Sequence, residues 1–256
     1  MLSQIRTFFL FFLISFIFFF KSILGDVAFI TNQESNMLDI IDLTQKKNVK
    51  QIKVGEKPAG IAIDKINKIV FVSNPESNNI SKINLETNIH DFFFAGNSPM
   101  SLYYANQNKL LYVTNWYENK ISVVNTLNNK LIKSIDVGKS PAGIFVAEDL
   151  KRIFVANKDD NTVSVVDTDD FKILKNIHVG KAPYGVFSSP KTEYIFITNV
   201  QSHSVTLINK KTLKVEKEIK VGKWPYQIAY NKRKQIIYVT NQRDNSISVI
   251  DLKVKK

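Results

Sequence analysis

A chain of 256 residues, 44% hydrophobic and 23% charged, holds enough apolar material for one large core or two ordinary ones. It has no cysteine, which excludes a disulfide framework, a CxxC redox motif, a thiolate zinc site, haem attachment through CxxCH and lipid attachment at cysteine. The formal charge of +12 invites a polyanionic partner, but abundant Lys, Asn, Ile and Phe together are also what an A/T-rich coding sequence produces.

The first 25 residues stand apart. Arg6 supplies a short positive region, and Phe8 to Phe20 is apolar throughout except at Ser15. An apolar run of this length fits the core of a signal peptide (~7–15 residues) and is short for a spanning helix (~20 residues). Residues 1–25 are therefore expected to be a signal peptide and residues 26–256 the exported domain, with cleavage after the small residue Gly25. Ile23, third before that cut, is not the small residue that processing prefers, which leaves an uncleaved anchor as the alternative. No later stretch reaches membrane-spanning length.

Next in chain order comes Phe29-Ile30-Thr31-Asn32. It returns as Phe71-Val72-Ser73-Asn74, Tyr112-Val113-Thr114-Asn115, Phe154-Val155-Ala156-Asn157, Phe196-Ile197-Thr198-Asn199 and Tyr238-Val239-Thr240-Asn241. The asparagines are spaced 42, 41, 42, 42 and 42 residues apart, a period that has to be read before anything else. A second column is a Gly-x-x-Pro step at Gly55/Pro58, Gly96/Pro99, Gly138/Pro141, Gly180/Pro183 and Gly222/Pro225. Each period reads as four short strands divided by turn residues, and Val163-Ser164-Val165-Val166-Asp167 shows the period-2 alternation of a β-branched strand. Gly138 and Gly180 are expected to need backbone freedom between the fourth strand and the next first one, the more so if the conformation there has a positive φ. Units of four short strands in tight succession predict an all-β chain, a β-propeller of four-stranded antiparallel blades.

The strings Tyr-Val-Thr-Asn at 112–115 and 238–241 and Val-Gly-x-x-Pro at 137–141, 179–183 and 221–225 resemble the YVTN β-propeller repeat over residues 26–252. The resemblance implies exported or cell-surface proteins, often seven-bladed. Members and distant relatives range from surface-layer modules to nucleic-acid binders and haem or quinone enzymes, without shared catalytic residues. With strands labelled A to D from the centre outwards and A beginning at the Gly-x-x-Pro proline, the chain holds five A, six B, six C and five D strands. About six blades are expected, the first without A and the last without D; a seven-bladed or open ring is the alternative.

Strand direction sorts the loops onto two faces. The D–A and B–C loops emerge at one end, here the top, and the A–B and C–D loops at the bottom. The bottom loops carry 16 basic and 7 acidic residues, with Lys210, Lys211, Lys232, Arg233 and Lys234 as the candidate anion-binding group. On the near-neutral top, Lys139, Lys181 and Lys223 share one column, Tyr184 and Tyr226 follow their prolines, and Trp224 precedes Pro225. Lysines interleaved with aromatics suit stacking on bases or sugars along an anionic chain. The same rings would also serve as packing between blades. Trp116 and Tyr117 lie in a B–C loop of that face.

Enzymatic constellations fail on inspection. His203 falls in the column of Asn36, Asn78, Asn119, Asn161 and Asn245, where a left-handed turn residue is expected. His90 and His178 lie on outer strands, and no metal, haem or other cofactor site converges. Asp159 and Asp160 precede strand C while Asp167, Asp169 and Asp170 follow it, about 20 Å away at ~3.3 Å per residue. The reading is an exported, non-catalytic binding scaffold that engages a protein or an anionic polymer, nucleic acid or envelope polysaccharide, through a loop face. The alternative that the resemblance implies is a propeller enzyme, a lactonase-like hydrolase or a relative of haem- or quinone-linked oxidoreductases.

Overall fold

A computed structural model describes residues 26–253; the expected signal peptide lies outside the described residues. Six antiparallel sheets follow one another in chain order as blades 1 to 6, at residues 27–53, 61–93, 99–136, 141–178, 183–220 and 225–251. Blades 2 to 5 have four strands each, and blade 4 runs A (Pro141–Ala147), B (Arg152–Asn157), C (Thr162–Asp167) and D (Ile173–His178). Blade 1 holds B, C and D, and blade 6 holds A, B and C (Pro225–Asn231, Ile236–Asn241, Ser246–Asp251). The chain is a six-bladed propeller with an incomplete blade at either end of the array. Among the described residues no helix is long and apolar enough to cross a membrane.

Turn chemistry repeats with the strands. The B–C turns close on Asn36, Asn78, Asn119, Asn161, His203 and Asn245, all with φ between 48° and 56°. Each of the first four also accepts, at Oδ1, the N–H of the residue before the next Gly-x-x-Pro proline, as Asn161 does from Ala182 at 2.9 Å. His203 performs the same service with Nδ1, 3.3 Å from the Trp224 nitrogen. It is a turn residue, as its column predicts. The C–D turns open on an Asp or Asn whose Oδ1 takes the following backbone N–H groups; Asp42 accepts from Thr44 and Gln45 at 2.8 and 2.9 Å.

The glycine column has a different cause from the one expected. Neither Gly138 nor Gly180 has a positive φ, and among the described glycines only Gly96 does, at 126°. The left-handed residue is instead the one before proline: Lys57, Ser98, Ser140, Ala182 and Trp224. Glycine is required because the chain passes against the tetrapeptide asparagine. A Cβ on Gly138 would stand 2.5 Å from Asn157 Cγ, and one on Gly180 would stand 2.6 Å from Asn199 Cγ. Those asparagines are fully buried and tie strands together; Asn157 Nδ2 donates to Thr162 Oγ1 and Ser164 Oγ at 3.0 and 2.8 Å.

The core is a series of junctions between successive blades. Between blades 3 and 4, Tyr112, Ile121, Val123 and Ile135 pack on Ile144, Val146, Ile153, Val155 and Val166, all 5% exposed or less. A polar stitch crosses near the channel. The third tetrapeptide residue donates its hydroxyl to the carbonyl after the next blade's proline: Thr31 to Ala59, Ser73 to Met100, Thr114 to Ala142 and Thr198 to Tyr226, at 2.6–3.1 Å.

Blades 6 and 1 do not pack in this way. Ile247 and Val249 of blade 6 are each 61% exposed, whereas their counterparts Ile121 and Val123 are fully buried. Ile30 of blade 1 is 42% exposed where Val155 is buried. Of the closures considered from sequence, the ring with an open seam is the one this burial pattern describes.

Candidate functional site

The A strands converge on the channel and bring Ala59, Gly60, Ala142, Gly143 and Gly185 to its top mouth. Small residues are enforced there because neighbouring A strands nearly touch. A Cβ on Gly143 would lie 2.3 Å from the Tyr184 carbonyl oxygen, and one on Gly185 would lie 2.3 Å from that of Tyr226. The mouth is thus floored by backbone and leaves a depression of about 580 Å³. Glu34, from the first B–C loop, contributes a carboxylate to its rim.

One side of this mouth is aromatic. Tyr184 and Tyr226 meet edge to face with centroids 4.9 Å apart, and Trp116 lies 6.4 Å from Tyr184. Lys158 holds its ammonium 5.3 Å from the centre of the Trp116 ring. Burial, and then the neighbouring Tyr226, pushes the Tyr184 phenol above its ordinary pKa, so the ring stays neutral. The Trp116 backbone is fixed by its N–H donating to the Ser98 carbonyl at 3.0 Å. A second depression of about 880 Å³ shares Gln33 and Met100 with the first and runs over Trp116 and Tyr117. Together they make one aromatic track from the channel mouth across the top.

The residues proposed from sequence divide on this map. Tyr184 and Tyr226 line the mouth. Trp224 is outside that lining: left-handed at φ 56° and half-buried, it lies beneath the Arg243 guanidinium at 3.7 Å. Lys139, Lys181 and Lys223 are exposed and also outside it. Their backbone N–H groups serve the turns, donating to Asp160 Oδ2, Ser202 Oγ and Asp244 Oδ2 at 2.5–2.7 Å. Trp116 and Lys158 complete the track, and only the position of Trp116 in a top loop pointed to it beforehand.

On the bottom, Lys211, Lys232, Arg233 and Lys234 are exposed. Lys210 is not: it is 6% exposed, because its turn is packed against blade 4. Arg152 Nη1 donates to the carbonyls of Lys210 and Lys211 at 2.6 and 2.8 Å, which ties blade 4 to blade 5. Lys82 and Lys175 likewise donate to the Thr126 and Leu213 carbonyls of the next blade, at 2.7 and 3.0 Å. Part of the basic excess is therefore structural.

Asp64, at the bottom of blade 2, is buried and accepts from Tyr104 Oη at 2.6 Å and Asn67 Nδ2 at 2.7 Å. Burial works to raise its pKa, but the bonds from Tyr104 and Asn67 outweigh it and leave the carboxyl below its ordinary range. The stability it adds is complete above the ordinary carboxylate range and is lost as pH falls through the lowered pKa. Among the described residues no group of three or more His, Cys, Asp or Glu is placed to hold a metal ion. Asp159 and Asp167 stand at opposite ends of one strand, as expected.

Solved structures share the architecture at low identity. A Desulfotomaculum acetoxidans protein of unknown function superposes with a TM-score of 0.76 at 14% identity, covering 88% of this chain and 79% of that one. Hydrazine synthase of Kuenenia stuttgartiensis superposes with a TM-score of 0.65 at 16% identity, covering 90% and 94%. No curated protein matches the chain in sequence. The YNCE-like beta-propeller family matches residues 61–152 and 145–256, well over half of the sequence, and the chain belongs to that family.

Proposed function

We propose that the protein is an exported, non-catalytic binding module that takes flat polar rings, sugars or nucleobases of an envelope polymer or nucleic acid, onto the track at its top channel mouth. The observation that carries this reading is the continuous row of Tyr226, Tyr184 and Trp116 that runs from the channel mouth across the top. Rings stacked on such side chains gain about 1–3 kcal/mol each with little sequence preference. Lys158 lies over Trp116 at the rim and is itself ion-paired with Asp159 at 2.9 Å, so the track favours neutral rings over the charge of a backbone. Export rests on the leader, whose apolar run is followed at once by the first repeat.

A second reading places an anionic polymer on the bottom, where Lys211, Lys232, Arg233 and Lys234 are all exposed. One titration separates the two. Tryptophan fluorescence is followed while a single-stranded oligonucleotide and, separately, a neutral oligosaccharide are added. For the top site, Tyr226→Ala weakens binding by about 1–3 kcal/mol and reversal of Lys232, Arg233 and Lys234 changes little. If only the charge reversal acts, with a steep salt dependence, the bottom face is the site. If neither probe binds at low salt, both readings fail and the propeller enzyme returns as the alternative.

A further inference from the structure

Each D strand ends its sheet, so its outer edge offers unpaired N–H and C=O groups to any chain that can lie alongside. Four of the five described D strands are guarded against this. Lys47–Lys53, Lys130–Asp136, Ile173–His178 and Val215–Lys220 each pair with their C strand through a bulge. Each also carries an exposed lysine, Lys50, Lys133, Lys175 or Lys217, two residues before the isoleucine that anchors the strand. Bulges and edge lysines keep foreign strands away.

Blade 2 has neither guard. Its D strand, His90–Phe93, pairs with Asn79–Asn84 in unbroken register. Phe93 takes the anchoring place opposite Ile80, so Asp91 stands where the other strands have lysine. Phe92 replaces Gln51, Ser134, Asn176 and Glu218, and Phe94 replaces Lys53, Asp136, His178 and Lys220. Phe92 and Phe94 are 52% and 62% exposed, and Ile89, just before the strand, is 57% exposed. The imidazole of His90 stacks on Phe92 with ring centres 4.4 Å apart. Asp91 makes no ion pair among the described residues. Blade 2 packs on blade 1 at one side and on blade 3 at the other, so these groups are not the uncovered half of a blade junction. None of them lines either depression at the top.

We propose that the outer edge of blade 2 is a docking site for an extended segment of another protein, which adds as a fifth strand beside His90–Phe93. The segment lays apolar side chains on Phe92 and Phe94 and sets a basic residue against Asp91. Main-chain hydrogen bonds hold such a strand, and its alternate side chains select it. Charge complementarity fixes the basic residue. Opposite charges across a strand pair stabilise it, whereas the lysine found at this place in the other four D strands repels the same residue. A second copy of this chain fits less well. Four residues are an ordinary length for a paired strand, but too few to bury the ~1,200 Å² of a specific interface between folded proteins.

The probe is a short fluorescent peptide in which phenylalanine alternates with lysine, titrated against the protein by anisotropy. One control peptide has alternate backbone amides methylated, and another has glutamate in place of lysine. The methylated control should bind about tenfold or more weakly than the parent, because it cannot complete the ladder. Asp91→Lys, Phe92→Gln and Phe94→Lys together give blade 2 the residues that blade 1 carries at Lys50, Gln51 and Lys53, all at exposed positions. This triple variant should lower the parent affinity about tenfold or more. Asp91→Lys alone should weaken the lysine peptide and strengthen the glutamate one, by about threefold each. The proposal is overturned if the parent peptide does not bind, or if the triple variant binds it as well as the wild type does. A methylated peptide that binds as tightly as the parent overturns it too, since the contact is then an apolar patch without strand addition. Sedimentation supplies the last outcome. A wild type that dimerises while the triple variant stays monomeric puts a second copy on the edge, and the proposed partner is wrong.

Discussion

The string Ile-Ser-Val occurs twice in C strands, at 121–123 and at 247–249. In blade 3 its isoleucine and valine are fully buried; in blade 6 the same two residues are 61% exposed. Local pattern, strand type and register are alike, and both strands pair with the B strand that carries Tyr-Val-Thr-Asn. What differs is the neighbour. Burial in this fold belongs to the junction between blades and not to the strand, so each blade owes most of its stability to the next one, as in other repeat architectures. Blades 1 and 6, each supported on one side only among the described residues, are where the array is weakest.

The largest expected contrast comes from the tyrosine that opens the tetrapeptide. Tyr112 is 1% exposed inside a junction, while Tyr238 is only half-buried at the seam. Tyr112→Ala is expected to destabilise by about 3–5 kcal/mol, the usual range for removing a buried aromatic ring. Tyr238→Ala, which opens no enclosed cavity, should cost about 1 kcal/mol or less. Denaturant unfolding of both variants measures the difference. Equal losses would mean that the seam is closed in solution.

A smaller contrast concerns the position two past the proline. Gly185→Ala forces a methyl group to within 2.3 Å of the Tyr226 carbonyl, and relief requires two A strands to move apart. About 1–3 kcal/mol is expected. Gln227→Ala in blade 6 should fall within about 0.5 kcal/mol of neutral. Because Gly185 also lines the channel mouth, its variant should change the ligand titration as well, whereas a seam effect alone would not.

How far the sequence carries these distinctions depends on range. The 42-residue period and the Gly-x-x-Pro column are enough for the fold, the missing A strand of blade 1 and the missing D strand of blade 6, because strands and turns are local. His203 was legible for the same reason: its column holds asparagines elsewhere, and a left-handed turn explains all six, with a side-chain acceptor at five of them. The glycine column was legible as a column but not as a cause, since contact with an asparagine 19 residues later is a tertiary fact. Lys210 and Lys211 look alike in sequence, but the packing of Arg152 from blade 4 buries the first and leaves the second exposed. In the binding track, Tyr184 and Tyr226 were legible from their place after proline. Lys139, Lys181 and Lys223 share a column with one another but not a site, because a residue's position along a loop does not fix the direction of a long side chain.

The smallest contrast is also the cleanest, because it changes one hydroxyl for one methyl. Thr114 Oγ1 accepts the Ser101 N–H at 2.9 Å and donates to the Ala142 carbonyl at 2.8 Å, across the junction and out of water. Thr114→Val keeps the shape but strands both groups, and an unpaired buried donor or acceptor costs about 1–3 kcal/mol. The lower end is the expected one, since the equivalent position in blade 4 is Ala156, and the junction between blades 4 and 5 holds without that hydroxyl. Thr240 accepts the Gln227 N–H at 3.2 Å in an exposed setting, where water can take over either role. Thr240→Val should therefore change stability by less than about 0.5 kcal/mol in the monomer.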